Sequence, residues 1–352
     1  RVRFRVDGVL REAYSQPRKV QNALISRLKV MSNLDISERR IPQDGRIQMK
    51  IEGRQIDLRV SSLPTVYGEN MVLRILDKSN LSIDLASLGF GLQEERFREI
   101  IGRPNGVVLV TGPTGSGKTT TLYSALNEVS TIEVNTITLE NPVEYRLPLI
   151  RQTNINEKAG MTFAKGLRSI LRQDPDIVMI GEIRDGETAT IAVEAALTGH
   201  LVLATLHTND APGSLPRLID MGVEPFLVAS AVAGVLAQRL VRRICSGCKI
   251  EYTPTDAERE LVGAEDPNTI LYKGEGCRAC SNSGYKGRAG IYEIMVMNEE
   301  LREITMTGGS ADKLMAAARR GGMLTLREDG MVKVLEGITT IEEVMSKTAA
   351  QH

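Results

Sequence analysis

Residues 112–120 read Gly-Pro-Thr-Gly-Ser-Gly-Lys-Thr-Thr, a spacing that suits the binding of phosphate groups. The glycines allow backbone N–H groups to close around phosphate oxygens, and a helix N-terminus behind the loop adds positive potential. Lys118 is placed to reach the β- and γ-phosphates of a nucleoside triphosphate, and the Thr119 hydroxyl to bind Mg²⁺. The predicted nucleotide-binding residues of this loop are Gly112, Pro113, Thr114, Gly115, Ser116, Gly117, Lys118, Thr119 and Thr120.

Such a loop works with a carboxylate at the end of a neighbouring strand, which holds Mg²⁺ or orients the attacking water. Glu182 follows the apolar run Ile177 to Ile180, and Gly181 allows it to approach the phosphates, so we predict a catalytic role for Glu182. The alternative is an ordinary acidic residue at a helix start. Glu140 and Glu144 form a second acidic pair around a turn, where solvated charges are the alternative.

Two histidines bracket a predicted strand, Leu201 to Leu206. A histidine beside a strand is usually a satisfied hydrogen-bonding group. At the tip of a sheet that carries a phosphate loop, His207 is instead predicted to sense the γ-phosphate, and His200 is predicted to contact nucleotide.

Cys245, Cys248, Cys277 and Cys280 form two C-x-x-C pairs. Each pair can bind a tetrahedral ion from a tight turn, so four thiolates predict a structural Zn²⁺ site. The spacer exceeds the usual zinc-ribbon range, and buried thiols without metal are the alternative. No strand precedes and no helix follows either pair, which argues against a redox motif.

The elements that position these residues fall into two patterns. Residues 1–80 predict a small α+β domain: a hairpin turning at Asp7-Gly8, a helix from about Pro17 to Met31, and three alternating strands. Residues 81–92 resemble a linker. From residue 93 to residue 352, short apolar strands alternate with helices, which predicts an α/β domain with a parallel sheet and a zinc-binding subdomain at about 243–290. Ligands bind such sheets at the carboxyl ends of the strands.

Composition limits the function classes. The 352 residues hold 44 Lys+Arg and 44 Asp+Glu, and aromatic residues make up 4%, so neither a basic field nor a base-stacking platform for nucleic acid is indicated. No apolar stretch is long enough for a membrane span, and no signal peptide is recognisable. The chain begins in mid-pattern without Met, so we expect a fragment that lacks an upstream domain. A cytosolic protein is expected.

Four segments together resemble the type IV pilus assembly ATPases (PilB) and type II secretion ATPases (GspE), hexameric ATPases of the secretion superfamily. They are the phosphate loop, residues 171–185 (Leu-Arg-Gln-Asp-Pro-Asp-Ile-Val-Met-Ile-Gly-Glu-Ile-Arg-Asp), residues 198–209 around the two histidines, and residues 236–245. The resemblance extends over nearly the whole chain.

The resemblance implies a PAS-like domain followed by a RecA-like ATPase domain, assembled as a homo-hexamer with nucleotide at domain and subunit interfaces. It maps an acidic box onto Glu140 and Glu144, although this chain has Asn141 where the family usually has Asp. Arg59 and Arg74, which the sequence alone would make solvent-facing strand residues, match arginines that reach the phosphates from the N-terminal domain. Arg168, Arg172 and Arg184 are weaker candidates at similar interfaces.

The implied activity is hydrolysis of ATP with Mg²⁺, powering type IV pilus assembly from the cytoplasmic side of the inner membrane. The four cysteines favour the assembly or secretion branch, because the related retraction ATPases lack them. A type II secretion ATPase is the alternative, and a nucleic-acid translocase or a non-hydrolysing switch is less favoured. Implied partners are an inner-membrane platform protein (PilC or GspF type) and docking proteins of the machine, with no nucleic acid.

Overall fold

The structure, a computed structural model, describes residues 1–77 and 84–349. The chain forms two compact units, Arg1–Ser82 and Ile83–His352. Within the described ranges no helix is both long and apolar enough to cross a lipid bilayer.

The first unit contains a hairpin, one helix and a three-stranded sheet. Strands β1 (Val2–Val6) and β2 (Val9–Tyr14) pair antiparallel around the predicted turn. Helix α1 (Gln21–Met31) follows, and then the antiparallel strands β3 (Gln43–Ile51), β4 (Arg54–Thr65) and β5 (Gly68–Asp77). These elements agree with the α+β pattern that the sequence predicts.

A buried ion pair fixes helix α1 to strand β5. Lys29 Nζ lies 2.5 Å from Glu69 Oε1, and both side chains are almost completely buried. The pair is also hydrogen-bonded, because Lys29 donates to the Glu38 carbonyl at 2.6 Å and Ser62 donates to Glu69 at 2.9 Å. Such partners are what a buried charge requires.

The second unit is built on a seven-stranded sheet. Its strands are β6 (Gly106–Thr111), β7 (Thr136–Glu140), β8 (Ile150–Asn154), β9 (Ile177–Ile180), β10 (Leu201–Leu206), β11 (Val232–Ile244) and, after two strands outside this sheet, β14 (Tyr285–Val296). The strand order is β14-β11-β6-β10-β9-β7-β8. All neighbours are parallel except β14, which runs antiparallel to β11 at one edge.

Helices cover the sheet, and capping side chains mark the start of two of those that precede β11. Before β11 they are α2 (Glu94–Ile101), α3 (Lys118–Val129), α4 (Phe163–Ile170), α5 (Gly186–Leu197), α6 (Ser214–Asp220) and α7 (Pro225–Ala231). Thr162 caps α4 and Asp185 caps α5, each accepting a hydrogen bond from a backbone N–H of the first turn. Every residue of β6, β9 and β10 is buried, as continuous apolar runs in a parallel sheet predict.

The C-terminal part adds a small sheet and further helices. Strands β12 (Lys249–Tyr252) and β13 (Leu271–Gly274) pair antiparallel on either side of helix α8 (Asp256–Val262). Helices α9 (Glu299–Met306), α10 (Ala311–Arg320), α11 (Leu326–Leu335) and α12 (Ile341–Thr348) follow β14. Leu326 and Val344 are among the buried residues of the common core.

The segment 84–92 differs from the linker that we expected at 81–92, of which residues 81–83 lie outside the described ranges. Residues Leu85–Leu88 form a 3-10 helix, and Leu85 and Phe90 are buried. The Phe90 ring stacks on Phe97 and on Tyr292, with centroids 4.9 and 4.1 Å apart. Burial of these apolar side chains outweighs the turn-like composition, so this segment is part of the second unit.

Candidate functional site

The phosphate loop joins β6 to α3 at the carboxyl edge of the large sheet. Gly112 has φ 146° and Gly117 has φ 93°, backbone conformations that side chains other than glycine rarely adopt. A Cβ on Gly112 would also lie 2.6 Å from the Gln238 carbonyl oxygen. Thr119 is exposed and Thr120 half-buried in the first turn of α3. The loop therefore has the strand, turn and helix context that the sequence predicts.

Gln238 of β11 supports this loop, a role that our sequence reasoning missed. Its buried side chain donates from Nε2 to the Ser116 carbonyl at 2.6 Å and accepts at Oε1 from Thr121 Oγ1 at 2.8 Å. One amide thus joins the loop to the first turn of α3. The available signal was a neutral polar residue directly after the run Val-Ala-Gly-Val-Leu-Ala of the same strand.

Lys118 folds back on its own loop. Its ammonium donates to the carbonyls of Gly112 at 2.7 Å and Pro113 at 3.2 Å. Burial lowers the pKa of Lys118, the nearby Glu182 carboxylate opposes that shift, and Arg239 adds to it. The lysine and the glutamate predicted to act together are therefore electrostatic neighbours.

Glu182 and His207 lie together beside Lys118. The Glu182 side chain is 14% exposed, and its Oε2 lies 2.6 Å from Arg184 Nε and 3.9 Å from His207 Nε2. Burial and the positive charge of Lys118 lower the pKa of His207, which favours the neutral form of its ring. The lack of a side chain at Gly181 allows its backbone to pack closely against β7, because a Cβ there would lie 3.2 Å from the Leu139 carbonyl oxygen.

Glu140 lies at the end of β7 as predicted, but its carboxylate is enclosed. It is 3% exposed and accepts hydrogen bonds from the Tyr123 hydroxyl, from Thr138 Oγ1 at 2.6 Å and from Gln152 Nε2 at 3.1 Å. Burial and the bond to Glu140 raise the pKa of Tyr123. Glu144 is half-buried nearby, and its backbone N–H donates to the Tyr123 hydroxyl at 3.3 Å.

His200 is not brought to the phosphate loop within this chain. It precedes β10, whereas His207 follows the strand. Because β10 and β6 run parallel, Leu201 pairs with Gly106 at one edge and Leu206 with Thr111 at the other. His200 Nδ1 is instead 2.8 Å from the Ala195 carbonyl oxygen. His200 therefore lies at the edge of the sheet opposite the phosphate loop, and its predicted contact with nucleotide stays a prediction.

Arg59 and Arg74 are directly opposite each other on β4 and β5 in the first unit. Arg46 of β3 is the partner of Arg59 on the other side, so three arginines form a row across the sheet. Arg59 is half-buried, whereas Arg46 and Arg74 are exposed. Their action on a nucleotide stays a prediction. Of the weaker candidates, Arg168 pairs with Glu187, Arg172 with Ser169 and Arg184 with Glu182.

The four cysteines meet in one cluster. Their sulfur atoms all lie within 4.8 Å of one another, with Sγ–Sγ distances of 3.9 Å for Cys245–Cys277 and Cys248–Cys280 and 3.7 Å for Cys277–Cys280. Disulfide bonds are much shorter, at about 2.05 Å. A tetrahedral ion with bonds of about 2.3 Å to sulfur needs sulfur atoms about 3.8 Å apart. The donor set therefore fits Zn²⁺.

Comparisons with known proteins agree with this arrangement. Residues 1–346 match the family described as "Type II/IV secretion system protein". The chain is 52% identical over 351 residues to a type IV pilus assembly ATPase PilB of Thermus thermophilus, covering 99% of this chain but 40% of that protein. It is 52% identical over 350 residues to a type II secretion system protein E of Pseudomonas aeruginosa, covering 99% of this chain and 69% of the other.

A solved structure, the pilus retraction motor PilT with bound ADP, has the same fold. The TM-score is 0.65 at 25% sequence identity, and the match covers 98% of this chain and 89% of that one. Because the family match extends over almost the whole chain and a relative at 52% identity is covered over more than two thirds of its length, the chain belongs to the type II/IV secretion system protein family.

Proposed function

We propose that this chain hydrolyses ATP in a magnesium-dependent reaction at the phosphate loop. The observation that carries this proposal is the meeting of Lys118, Glu182 and His207 at the carboxyl edge of a parallel sheet, next to a loop whose glycines allow close approach of phosphate. Parallel sheets bind ligands at this edge. Fold alone would not carry the assignment, but these three side chains are of the types that phosphoryl transfer needs.

Each residue has a distinct role in the proposed reaction. Lys118 leaves the loop carbonyls and binds the β- and γ-phosphate oxygens, and the Thr119 hydroxyl would hold Mg²⁺. Bound Mg²⁺ would neutralise charge on the phosphate oxygens. Glu182 accepts a proton from the attacking water or orients that water. The His207 ring, in its neutral form, would hydrogen-bond to the γ-phosphate next to Glu182. His207 would in this way sense whether the γ-phosphate is still present.

Glu182→Gln tests this proposal. We expect the variant to bind ATP with an affinity close to that of the parent and to hydrolyse it about 100-fold or more slowly, because a general base is lost. Lys118→Ala should instead lose ATP binding. Glu187→Gln is the matched control, since Glu187 is exposed and pairs with Arg168. Hydrolysis by Glu182→Gln at the parental rate would refute the assignment.

We infer that ATP hydrolysis drives a motor that assembles type IV pili, with type II secretion as the alternative. The chain spans 40% of the Thermus pilus protein, so the activity of a whole protein of this kind is inferred for it. In this proposal a PAS-like first domain and a RecA-like second domain form a homo-hexamer on the cytoplasmic face of the inner membrane. Arg59 and Arg74 reach the nucleotide when the first domain closes, and closure and opening in each cycle form the power stroke.

Sequence identity does not separate pilus assembly from secretion, because a relative of each kind is 52% identical to this chain. The binding partners are what would separate the two functions. We propose an inner-membrane platform protein of the PilC or GspF type as the direct partner, with docking proteins of the machine beside it. Pull-down of the parent and of Glu182→Gln with platform proteins of both systems tests this. Retention of the pilus platform alone supports the first reading, and retention of the secretion platform alone supports the second.

We also propose that the cysteine cluster binds one Zn²⁺ with a structural role. All four ligands come from protein, which leaves no open coordination position for a substrate. The backbone N–H groups of Gly276 and Cys277 donate to Cys248 Sγ at 3.3 Å and to Cys280 Sγ at 3.2 Å, an arrangement that supports thiolates. The ion would join the start of β12 to the turn before β14.

A further inference from the structure

Glu293 of β14 is a buried carboxylate outside the proposed reaction centre. Its side chain is 0% exposed, and its two oxygens accept hydrogen bonds from different parts of the chain. Oε1 accepts from the Ala211 N–H at 2.7 Å, and Oε2 accepts from the Leu326 N–H at 3.2 Å. Burial raises the pKa of Glu293 to about 7. Burial of this carboxylate has a free-energy cost, which its two backbone partners and the nearby positive charge of Arg239 offset, whereas the nearby Asp210 adds to it.

Ala211 is the last residue of a segment that begins at His207, and we name residues 207–211 the histidine loop. Other bonds also anchor the loop, among them one of 2.8 Å between Thr208 Oγ1 and Ser214 Oγ. The Thr208 N–H donates to Thr111 Oγ1 at 2.8 Å, and Thr111 immediately precedes the phosphate loop. The Asn209 carbonyl accepts from Arg239 Nη2 at 2.8 Å. Glu293 therefore holds the far end of the loop that carries His207.

The Leu326 bond lies at the first residue of helix α11. The N–H groups of a first helical turn have no partner inside the helix, and a carboxylate near that end is favoured by the helix dipole. Thr325 and Glu328 form a capping box there, which engages the N–H groups of both residues. The Leu326 N–H is engaged by Glu293. One carboxylate thus joins the start of α11 to the histidine loop.

We propose that Glu293 is a positioning residue for hydrolysis, which fixes the histidine loop and links it to helix α11. The proposal rests on the proposed role of His207 beside Glu182. Displacement of α11 then moves the loop that ends at Ala211, and the loop sets where His207 lies relative to Glu182. The C-terminal helices in this way gain an influence on the reaction centre.

Glu293→Gln tests the link with little change in shape. A glutamine offers one carbonyl oxygen, so its NH₂ group would face an N–H donor and one of the two bonds is lost. We expect kcat for ATP to fall about 10-fold to 100-fold, with KM within about twofold of the parent, because small misplacements of reacting groups lower kcat by such factors. Hydrogen exchange of residues 207–211 should be faster than in the parent.

Asp329→Asn is the matched control. Asp329 is 4% exposed on the same helix and accepts from the Tyr292 N–H at 2.8 Å and from Lys333 Nζ at 2.6 Å, without contacting the histidine loop among its described bonds. It should lose stability, while hydrolysis by the folded fraction and exchange of residues 207–211 stay as in the parent. Equal losses of kcat in both variants, or a parental kcat in Glu293→Gln, would overturn the proposal.

A second variant covers the case in which Glu293→Gln does not fold. Leu326→Pro removes the N–H on the helix side, at the first helical position, where proline is tolerated, and it also truncates the buried Leu326 side chain. Leu326→Ala, which truncates the same side chain and keeps the N–H, is therefore its control. We expect faster exchange in residues 207–211 and a lower kcat, and unchanged exchange there would contradict the link. Exchange does not require hydrolysis, so it tests the link even if Glu182→Gln shows that the proposed function is wrong.

Discussion

At the scale of single residues, the partners of a carboxylate decide what it can do. Glu140 is the last residue of β7, and Glu182 lies two residues after β9 in the same sheet. Glu140 is enclosed by three neutral donors, whereas Glu182 contacts Arg184 and lies near Lys118 and His207. A carboxylate that is already satisfied by buried donors is poorly placed to accept a proton from water. Glu140 therefore has the surroundings of a structural acid, and its predicted catalytic role stays a prediction.

Tyr123→Phe is expected to destabilise the second unit. It removes the hydroxyl that donates to the buried Glu140 carboxylate, so the free energy of unfolding should fall by about 1–3 kcal/mol. Tyr252→Phe is the control, because its hydroxyl donates at 3.1 Å to Glu258, which Thr255 also engages. Chemical denaturation measures both. A loss for Tyr123→Phe no larger than that for Tyr252→Phe would show that the buried bond contributes little.

At the scale of elements, local patterns were readable from the sequence and long-range partners were not. The strand, glycine loop and helix around Lys118 follow from a continuous segment, as does the strand before Glu182. Gln238 supports the loop only because β11 lies next to β6, and sheet order is not written in any local pattern. The position of His200 at the edge opposite the phosphate loop likewise follows from the parallel pairing of β10 with β6, which no local pattern shows.

The cysteine cluster gives a prediction at this scale. Removal of zinc should destabilise the region from β12 to β14, because the four thiolates join segments that have a small apolar core. Elemental analysis should find about one zinc ion per chain. Hydrogen exchange after treatment with a chelator should be faster in residues 245–285 and nearly unchanged in β6 and β10.

Cys277→Ser should reproduce that change without a chelator, since it removes one of the four ligands. Ser283→Ala is the control in the same turn: the Ser283 hydroxyl donates to the Cys280 carbonyl at 2.7 Å, and serine is not a ligand of the cluster. Ser283→Ala should keep its zinc. Parental stability of zinc-free Cys277→Ser would contradict a structural role for the ion.

At the scale of the whole molecule, the proposed motor needs groups from both units. The phosphate loop, Glu182 and His207 belong to the second unit, whereas Arg59 and Arg74 belong to the first. Register places Arg46, Arg59 and Arg74 side by side, and like charges directly opposite each other destabilise a sheet. Arginine binds phosphate groups through charge-assisted hydrogen bonds, so a polyphosphate is a ligand of suitable charge for such a row.

The last prediction tests that division of labour. Arg59→Ala and Arg74→Ala should each lower kcat for ATP by about 100-fold or more, because arginines delivered to a transferring phosphoryl group stabilise charge that develops in the transition state. The dissociation constant for a non-hydrolysed ATP analogue should change far less, since Lys118 and the loop supply most ground-state contacts. Lys50→Ala is the control: Lys50 is exposed on β3 and opposite Gln55, so it removes a positive charge from the same sheet outside the row. Steady-state hydrolysis and equilibrium binding, measured on the same preparations, separate the two effects.

If Lys50→Ala loses as much activity as the two arginine variants, the loss reflects the charge of the first unit as a whole. If the arginine variants keep parental kcat, the first unit does not act on the nucleotide, and ATP hydrolysis would have to be explained by the second unit alone.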